Sequence, residues 1–253
     1  MTKLRSAAAM LGMLFLAGAP AMAQTAEELV AKNLAARGGA AALDAIESVK
    51  FDGTVIFPGD FQLTYEEVRT RGGDVRVDMA LQGLTLVQGW DGRTGWRINP
   101  FEGRKDAERM SDDEARSLAD TGSIRGPLQR AASLGSIVTY LGREDFDGTN
   151  AYKLKVTEKD GDEFVYLLDP DTMLEVKMIE TRRIRGAQLV FEYEFGDYEK
   201  VAGVYFPMSV ESWAAGQGNN RQRTIIASGT ANVPAPASLF ALPASPAAAP
   251  KGN

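Results

Sequence analysis

The feature that most narrows what this chain can become is a two-residue hydrophobic alternation, repeated segment after segment and broken at short intervals by turn-forming dipeptides. Phe61, Leu63 and Tyr65 alternate with Gln62, Thr64 and Glu66, and Val75, Val77, Met79 and Leu81 alternate with Arg76 and Asp78. The rhythm returns in Tyr152, Leu154 and Val156, in Leu189, Phe191, Tyr193 and Phe195, and in Val204, Phe206, Met208 and Val210. Successive side chains of a strand point to opposite faces, so each segment has one apolar and one polar side. Gly72-Gly73, Asp91-Gly92, Asp147-Gly148, Asp160-Gly161, Asp169-Pro170, Arg185-Gly186 and Ala202-Gly203 supply turns. Hairpin following hairpin, with no βαβ rhythm, excludes a parallel α/β fold.

Helical signals fall at the start and in the middle. Thr25-Ala26-Glu27-Glu28 is a capping box ahead of Leu29, Val30 and Leu34, with Gly38-Gly39 as the stop; a second short helix carries Leu43 and Ile46. Ser111-Asp112-Asp113-Glu114 is another capping box, opening a helix that runs to about Asp120, and a further helical piece covers Pro127 to Leu134. About ten or eleven strands are expected. A sheet of that size with one apolar side must be closed, paired or plugged. The expected fold is mainly β (α+β): a large curved antiparallel sheet, or unclosed β-barrel, with the N-terminal and central helices packed in its concave face.

The two ends differ in kind. Lys3 and Arg5, the apolar run Ala7 to Ala17, Pro20 and Ala21-Met22-Ala23 follow the order of a Sec-type signal peptide cleaved after Ala23, which implies the periplasm. The run is shorter than the roughly 20 residues that span a bilayer. From Pro234 the chain is dominated by Pro, Ala and Ser, a composition that builds no core. Leu239, Phe240 and Leu242 are its only apolar anchor points of any size. The expected organisation is a signal peptide over 1–23, one domain over 24–233 and a disordered Pro/Ala-rich tail over 234–253.

The 253 residues include no histidine and no cysteine, which removes most acid–base, nucleophilic and metal-binding constellations. A net charge of −6 without a basic cluster argues against nucleic acid as partner. Asp145-Phe146-Asp147-Gly148 begins like a calcium loop but lacks the later ligands. No carboxylate pair is marked by its surroundings as catalytic. A binding protein, not an enzyme, is expected, with no cofactor and no metal.

Several stretches carry a family likeness. Ile46-Glu47-Ser48-Val49 after the Gly38-Gly39 turn, Gly89-Trp90-Asp91-Gly92-Arg93-Thr94-Gly95-Trp96, the run Gly142 to Leu154, Tyr166 to Thr172 and Tyr198 to Pro207 stand in the order typical of one group. Together they resemble the LolA-like superfamily, in particular the outer membrane lipoprotein-sorting proteins, over roughly residues 25–232. The resemblance implies an unclosed barrel with helices as a lid, and a ligand that is an acylated lipoprotein or a lipid-like molecule. Membrane-bound donor and acceptor proteins are the implied partners, in transport that serves outer membrane biogenesis as a chaperone does. The alternative is a periplasmic sensor module that binds such ligands and signals through a protein partner. A carrier has a plain physical use, since exposing an acyl chain to water costs about 0.8 kcal/mol per methylene.

Side-chain facing nominates Met79, Leu81, Leu86, Trp90, Trp96, Tyr166, Phe191, Tyr193, Phe195, Phe206 and Met208 as walls of an apolar cavity. Each also has a plainer reading as core, and Trp90 with Trp96 as a cross-strand pair stabilising a hairpin. Arg182, Arg183 and Arg185 read as a solvated turn rather than a site for an acidic partner or lipid headgroup. Ser111 to Asp120, the most polar helix, is the expected moving piece.

Overall fold

The computed structural model describes residues 24–244; the expected signal peptide lies outside the described residues. Helices α1 (Ala26–Ala36) and α2 (Gly39–Asp44) precede β1 (Ser48–Phe57), β2 (Phe61–Thr70), β3 (Val75–Leu81), β4 (Leu84–Trp90), β5 (Gly95–Ile98) and β6 (Glu108–Arg109). After α3 (Asp112–Gly122) and α4 (Gly126–Leu134) come β7 (Ile137–Phe146), β8 (Thr149–Thr157), β9 (Glu163–Leu168) and β10 (Glu175–Ile184). The last strands are β11 (Ala187–Val201), β12 (Val204–Ala214) and β13 (Gln222–Ala231).

All thirteen strands form one antiparallel sheet in the order β6-β5-β4-β3-β2-β1-β13-β12-β11-β10-β9-β8-β7. Two meanders, β1–β6 and β7–β13, are thus joined where β1 pairs with β13. The sheet stays unclosed, with β6 and β7 at its edges. Its strand number exceeds the expected ten or eleven because β5 and β6 are too short to show alternation. Gln82-Gly83, Asp147-Gly148, Arg185-Gly186 and Ala202-Gly203 have φ of 49–52° then 80–88°. That is the two-residue type I′ geometry whose twist matches the flanking strands.

The helices plug the concave face at three places. Leu29 of α1 and Leu128 and Ala131 of α4 pack on Tyr152, Leu154, Phe164 and Tyr166 of β8 and β9. Leu43 of α2, Ile46 and Ile124 pack with Val49, Phe51, Val204 and Phe206. Leu118 of α3 packs on Val75 and Val77 of β3. Both capping boxes form, with Thr25 and Ser111 each exchanging hydrogen bonds with the glutamate three residues on; such caps contribute about 1 kcal/mol each. Contrary to its expected looseness, α3 lies close on the strands: a Cβ added at Gly95 would come within 2.5 Å of the Ala115 Cβ.

Past β13 the chain folds back over the convex face of β3–β5. The Trp96 indole N–H donates to the Phe240 carbonyl at 2.7 Å, Arg76 donates to the Leu239 carbonyl, and the Phe240 ring is buried. Residues 234–244, assigned by composition to a disordered tail, therefore run as a strap held by one aromatic anchor. Residues 245–253 lie outside the described residues.

Candidate ligand-binding cleft

Pairing register fixes which side chains share the concave face. Glu67, Val77, Gln88 and Arg97 stand opposite one another across β2–β5, and Tyr193, Ser212 and Gln222 across β11–β13. Between these two walls, roofed by α3, lies a cleft of about 430 Å³. Its lining includes Tyr65, Glu67, Met79, Gln88, Leu118, Thr121, Tyr193, Val210, Ser212, Gln222 and Thr224. A narrower part of about 200 Å³ continues beneath the α3–α4 junction, against Ile124, Pro127, Tyr166, Met178, Phe195, Phe206 and Pro207. Arg69, Thr121, Tyr193 and Val210 line both parts and form the waist between them. At the open end of the strands, a hollow of about 470 Å³ is walled by Phe57, Phe61, Leu63, Leu86 and Phe101 and shares Met79 with the cleft. Phe61 and Phe101 are 49% and 41% exposed there.

Charged groups on the walls are tied to one another. Arg69 grips the fully buried Glu67 with two hydrogen bonds of 2.8 Å, and the Tyr65 hydroxyl donates to the same carboxylate at 2.7 Å. At the narrow end, Arg37 pairs with Glu175 at 3.4 Å and donates to the Tyr205 and Ile124 carbonyls, while Gln129 of α4 donates to Glu175. Under α3, Arg97 pairs with Glu108 at 2.7 Å and Glu114 at 3.8 Å.

A second buried network sits where α3 and α4 meet β9 and β10. Arg182 ion-pairs with Glu180, with Asp120 of α3 at 3.2 Å and with Asp162 at 3.6 Å; Arg130 of α4 pairs with Asp120 and Glu158. The Tyr193 hydroxyl donates to Glu180 at 2.7 Å. Arg182 is therefore not part of a solvated turn: its side chain is 1% exposed, and only Arg183 and Arg185 stay at the surface. Even Arg185 reaches Glu114 of α3 at 3.0 Å.

Burial, reinforced by a neighbouring carboxylate, pushes the hydroxyls of Tyr65, Tyr166, Tyr193 and Tyr198 well above the ordinary phenol range. They remain neutral donors at any physiological pH. Burial, and then Asp120, raises the Glu158 carboxyl to about 7. Burial also moves Glu180 and Asp162 upward.

Met79, Tyr166, Tyr193, Phe195 and Phe206 lie on the cleft, and Leu86 on the hollow at its end. Leu81 and Phe191 share the concave face without lining either cavity. Trp90 packs on the α3 cluster and Met208 is core beside Phe206. Trp96 is a correction. In the β4–β5 register Trp90 faces Gly95 and Trp96 faces Gly89, so the two indoles lie on opposite faces of the sheet. Trp96 is fully buried on the convex side under the strap, neither cavity wall nor partner of Trp90. Sequence reasoning missed the polar lining, above all Glu67 and Arg69. The signal was present, because continuing the Phe61, Leu63, Tyr65 alternation puts both on the apolar face.

Among the described residues no helix is long and apolar enough to cross a membrane, and no group of carboxylates is arranged to hold a metal ion. No family model and no curated protein matches the sequence. Solved structures do match the fold. A LolA superfamily protein from Nitrosomonas europaea superposes with a TM-score of 0.58 at 13% identity, over 87% of this chain and 98% of its own. A DUF1329 family protein from Desulfovibrio piger gives 0.59 at 11% identity, over 86% and 97%. A putative outer membrane lipoprotein-sorting protein domain from Vibrio parahaemolyticus gives 0.56 at 12%, over 85% and 97%. At such identities the likeness is one of fold. At that level the resemblance read from the sequence holds: this chain is similar in fold to LolA superfamily proteins.

Proposed function

We propose that this protein is a periplasmic carrier that holds an amphiphile, either the acyl chains of a lipoprotein or a lipid-like molecule, between its concave sheet and α3–α4. One observation carries the reading: three adjoining cavities line the concave face, the apolar pocket beneath α4 meeting the central cleft at the waist around Val210, and the cleft meeting the half-exposed aromatic hollow around Phe61 and Phe101 at Met79. An elongated ligand matches such a path better than a compact one. The export-type N-terminal sequence and the fold shared with a lipoprotein-sorting domain support the same reading. The walls offer neutral donors and paired charges but no histidine or cysteine, which suits binding without turnover. In this reading the partners are the acylated protein or lipid and the membrane-bound proteins that load and unload it.

Native mass spectrometry of the gently purified protein, together with titration of an apolar fluorescent probe, tests this. Amphiphile adducts and saturable probe binding are expected. Val210→Trp, which fills the waist, should weaken probe binding by about tenfold or more while circular dichroism stays unchanged. A wild-type protein that carries no adduct and binds no probe would overturn the reading.

A further inference from the structure

The central part of the cleft, roofed by α3, is the part least suited to a bare hydrocarbon chain. Gln88 enters it from β4, and Ser212, Gln222 and Thr224 enter from β12 and β13. These four side chains are half-buried, and among the described residues none of them makes a hydrogen bond within the chain. Register places Ser212 directly opposite Gln222, with Thr224 two residues further along β13, so three of them form one contiguous polar wall. Gln88 looks at that wall from the opposite side of the cleft, next to Val77. Half-buried amides and hydroxyls without partners are costly unless a ligand or water satisfies them.

The charges nearby give the second half of the argument. Glu67 is held by Arg69, Arg97 by Glu108 and Glu114, Glu175 by Arg37, and Asp120 by Arg130 and Arg182. Among the described residues, every charged side chain lining the central cleft and the pocket beneath α4 thus already has an opposite charge beside it. An entering carboxylate or phosphate would lose hydration and meet no uncommitted cation, a costly exchange in a confined site. A hydroxyl, ester or amide would lose less and gain the four unpartnered side chains.

We infer that the cleft selects amphiphiles whose head is neutral and hydrogen-bonding, seating that head between Gln88 and the Ser212–Gln222–Thr224 wall while the chain runs into the apolar parts on either side. This rests on the carrier reading and names the class of ligand. The tyrosines around the head site, Tyr65 and Tyr193, already donate to Glu67 and Glu180, so they add bulk and rigidity rather than further donors.

Competition against a bound apolar probe tests it, using four ligands of equal ten-carbon chain: monodecanoylglycerol, an N-decanoyl dipeptide amide, decanoate and decyl phosphate. The two neutral ligands should displace the probe at concentrations at least about tenfold lower than the two anions. Whichever neutral ligand is the tighter distinguishes a glyceride-like head from an acylated peptide. Gln222→Leu, and separately Thr224→Val, should shrink the neutral-over-anionic ratio several-fold, with an unchanged circular dichroism spectrum marking each variant as folded. Equal displacement by all four ligands, or a ratio untouched by both variants, would overturn this inference and leave the carrier reading standing. Failure of the wild-type protein to bind the probe at all would overturn both.

Discussion

Two places on the concave face repeat one side-chain motif and use it differently. On β2, Tyr65, Glu67 and Arg69 form a closed unit: Arg69 is bidentate on Glu67, and the tyrosine hydroxyl completes the carboxylate. Across the sheet, on β10 and β11, Glu180, Arg182 and Tyr193 make the same unit, with Arg182 on Glu180 and Tyr193 donating to it. The first carries one carboxylate per guanidinium and ends there. The second also faces Asp120 of α3 and Asp162 before β9, while Glu158 stands behind Arg130. The β2 unit is therefore a neutral piece of cleft wall. The β10 unit is the point where the helical roof is fastened to the sheet, and it holds more acid than base.

Removing the central arginine should expose that difference. Arg182→Met leaves Glu180, Asp162 and Asp120 facing one another with Arg130 and Arg116 as the remaining nearby cations, and should cost on the order of 5 kcal/mol in urea unfolding. Hydrogen exchange in α3 should quicken with it. Arg69→Met strands a single carboxylate that keeps its Tyr65 donor, and should cost about 3 kcal/mol without loosening α3. The double variant Glu67→Leu/Arg69→Met, which removes both charges from the wall, should return to within about 1 kcal/mol of the parent. Equal costs for the two arginines, or α3 exchange that follows Arg69 instead, would break the comparison.

The same contrast shows what the sequence made legible. Alternation and turn dipeptides announce an antiparallel sheet with an apolar face because period and turn chemistry are local. The capping boxes at Thr25 and Ser111 are local for the same reason, and both form. What stayed hidden depends on contacts distant in sequence. Arg182 reads as one of three arginines near a hairpin tip until α3 brings Asp120, 62 residues away, against it. Trp96 reads as the twin of Trp90 until register sends it to the other face, where Phe240, 144 residues on, covers it. Apolar candidates such as Phe195 and Phe206 could be named from facing alone. The polar half of the cleft could not, because Gln88, Ser212 and Gln222 sit in strands whose inward positions look ordinary one at a time.

The surplus of acid at the β10 unit carries the smallest effect and the most specific one. Glu158 faces Asp120, Asp160 and Asp162 as well as Arg130, and burial together with those carboxylates outweighs the arginine, raising it from 4.5 to about 7. The folded protein then binds more protons than the unfolded chain between those two values, so its stability falls as pH rises through that window. Glu180 and Asp162, also shifted upward by burial, add to the same trend. Urea midpoints measured at pH 5 and pH 8 should show the parent weaker at pH 8. Glu158→Gln, which keeps the shape without the charge, should lose about 1 kcal/mol less over that interval once solvent screening is allowed for. If the pH trend instead survived Glu158→Gln undiminished, the surplus of acid at the β10 unit would not be its source, and the contrast between a balanced unit on β2 and an acid-rich one on β10 would lose its consequence for stability.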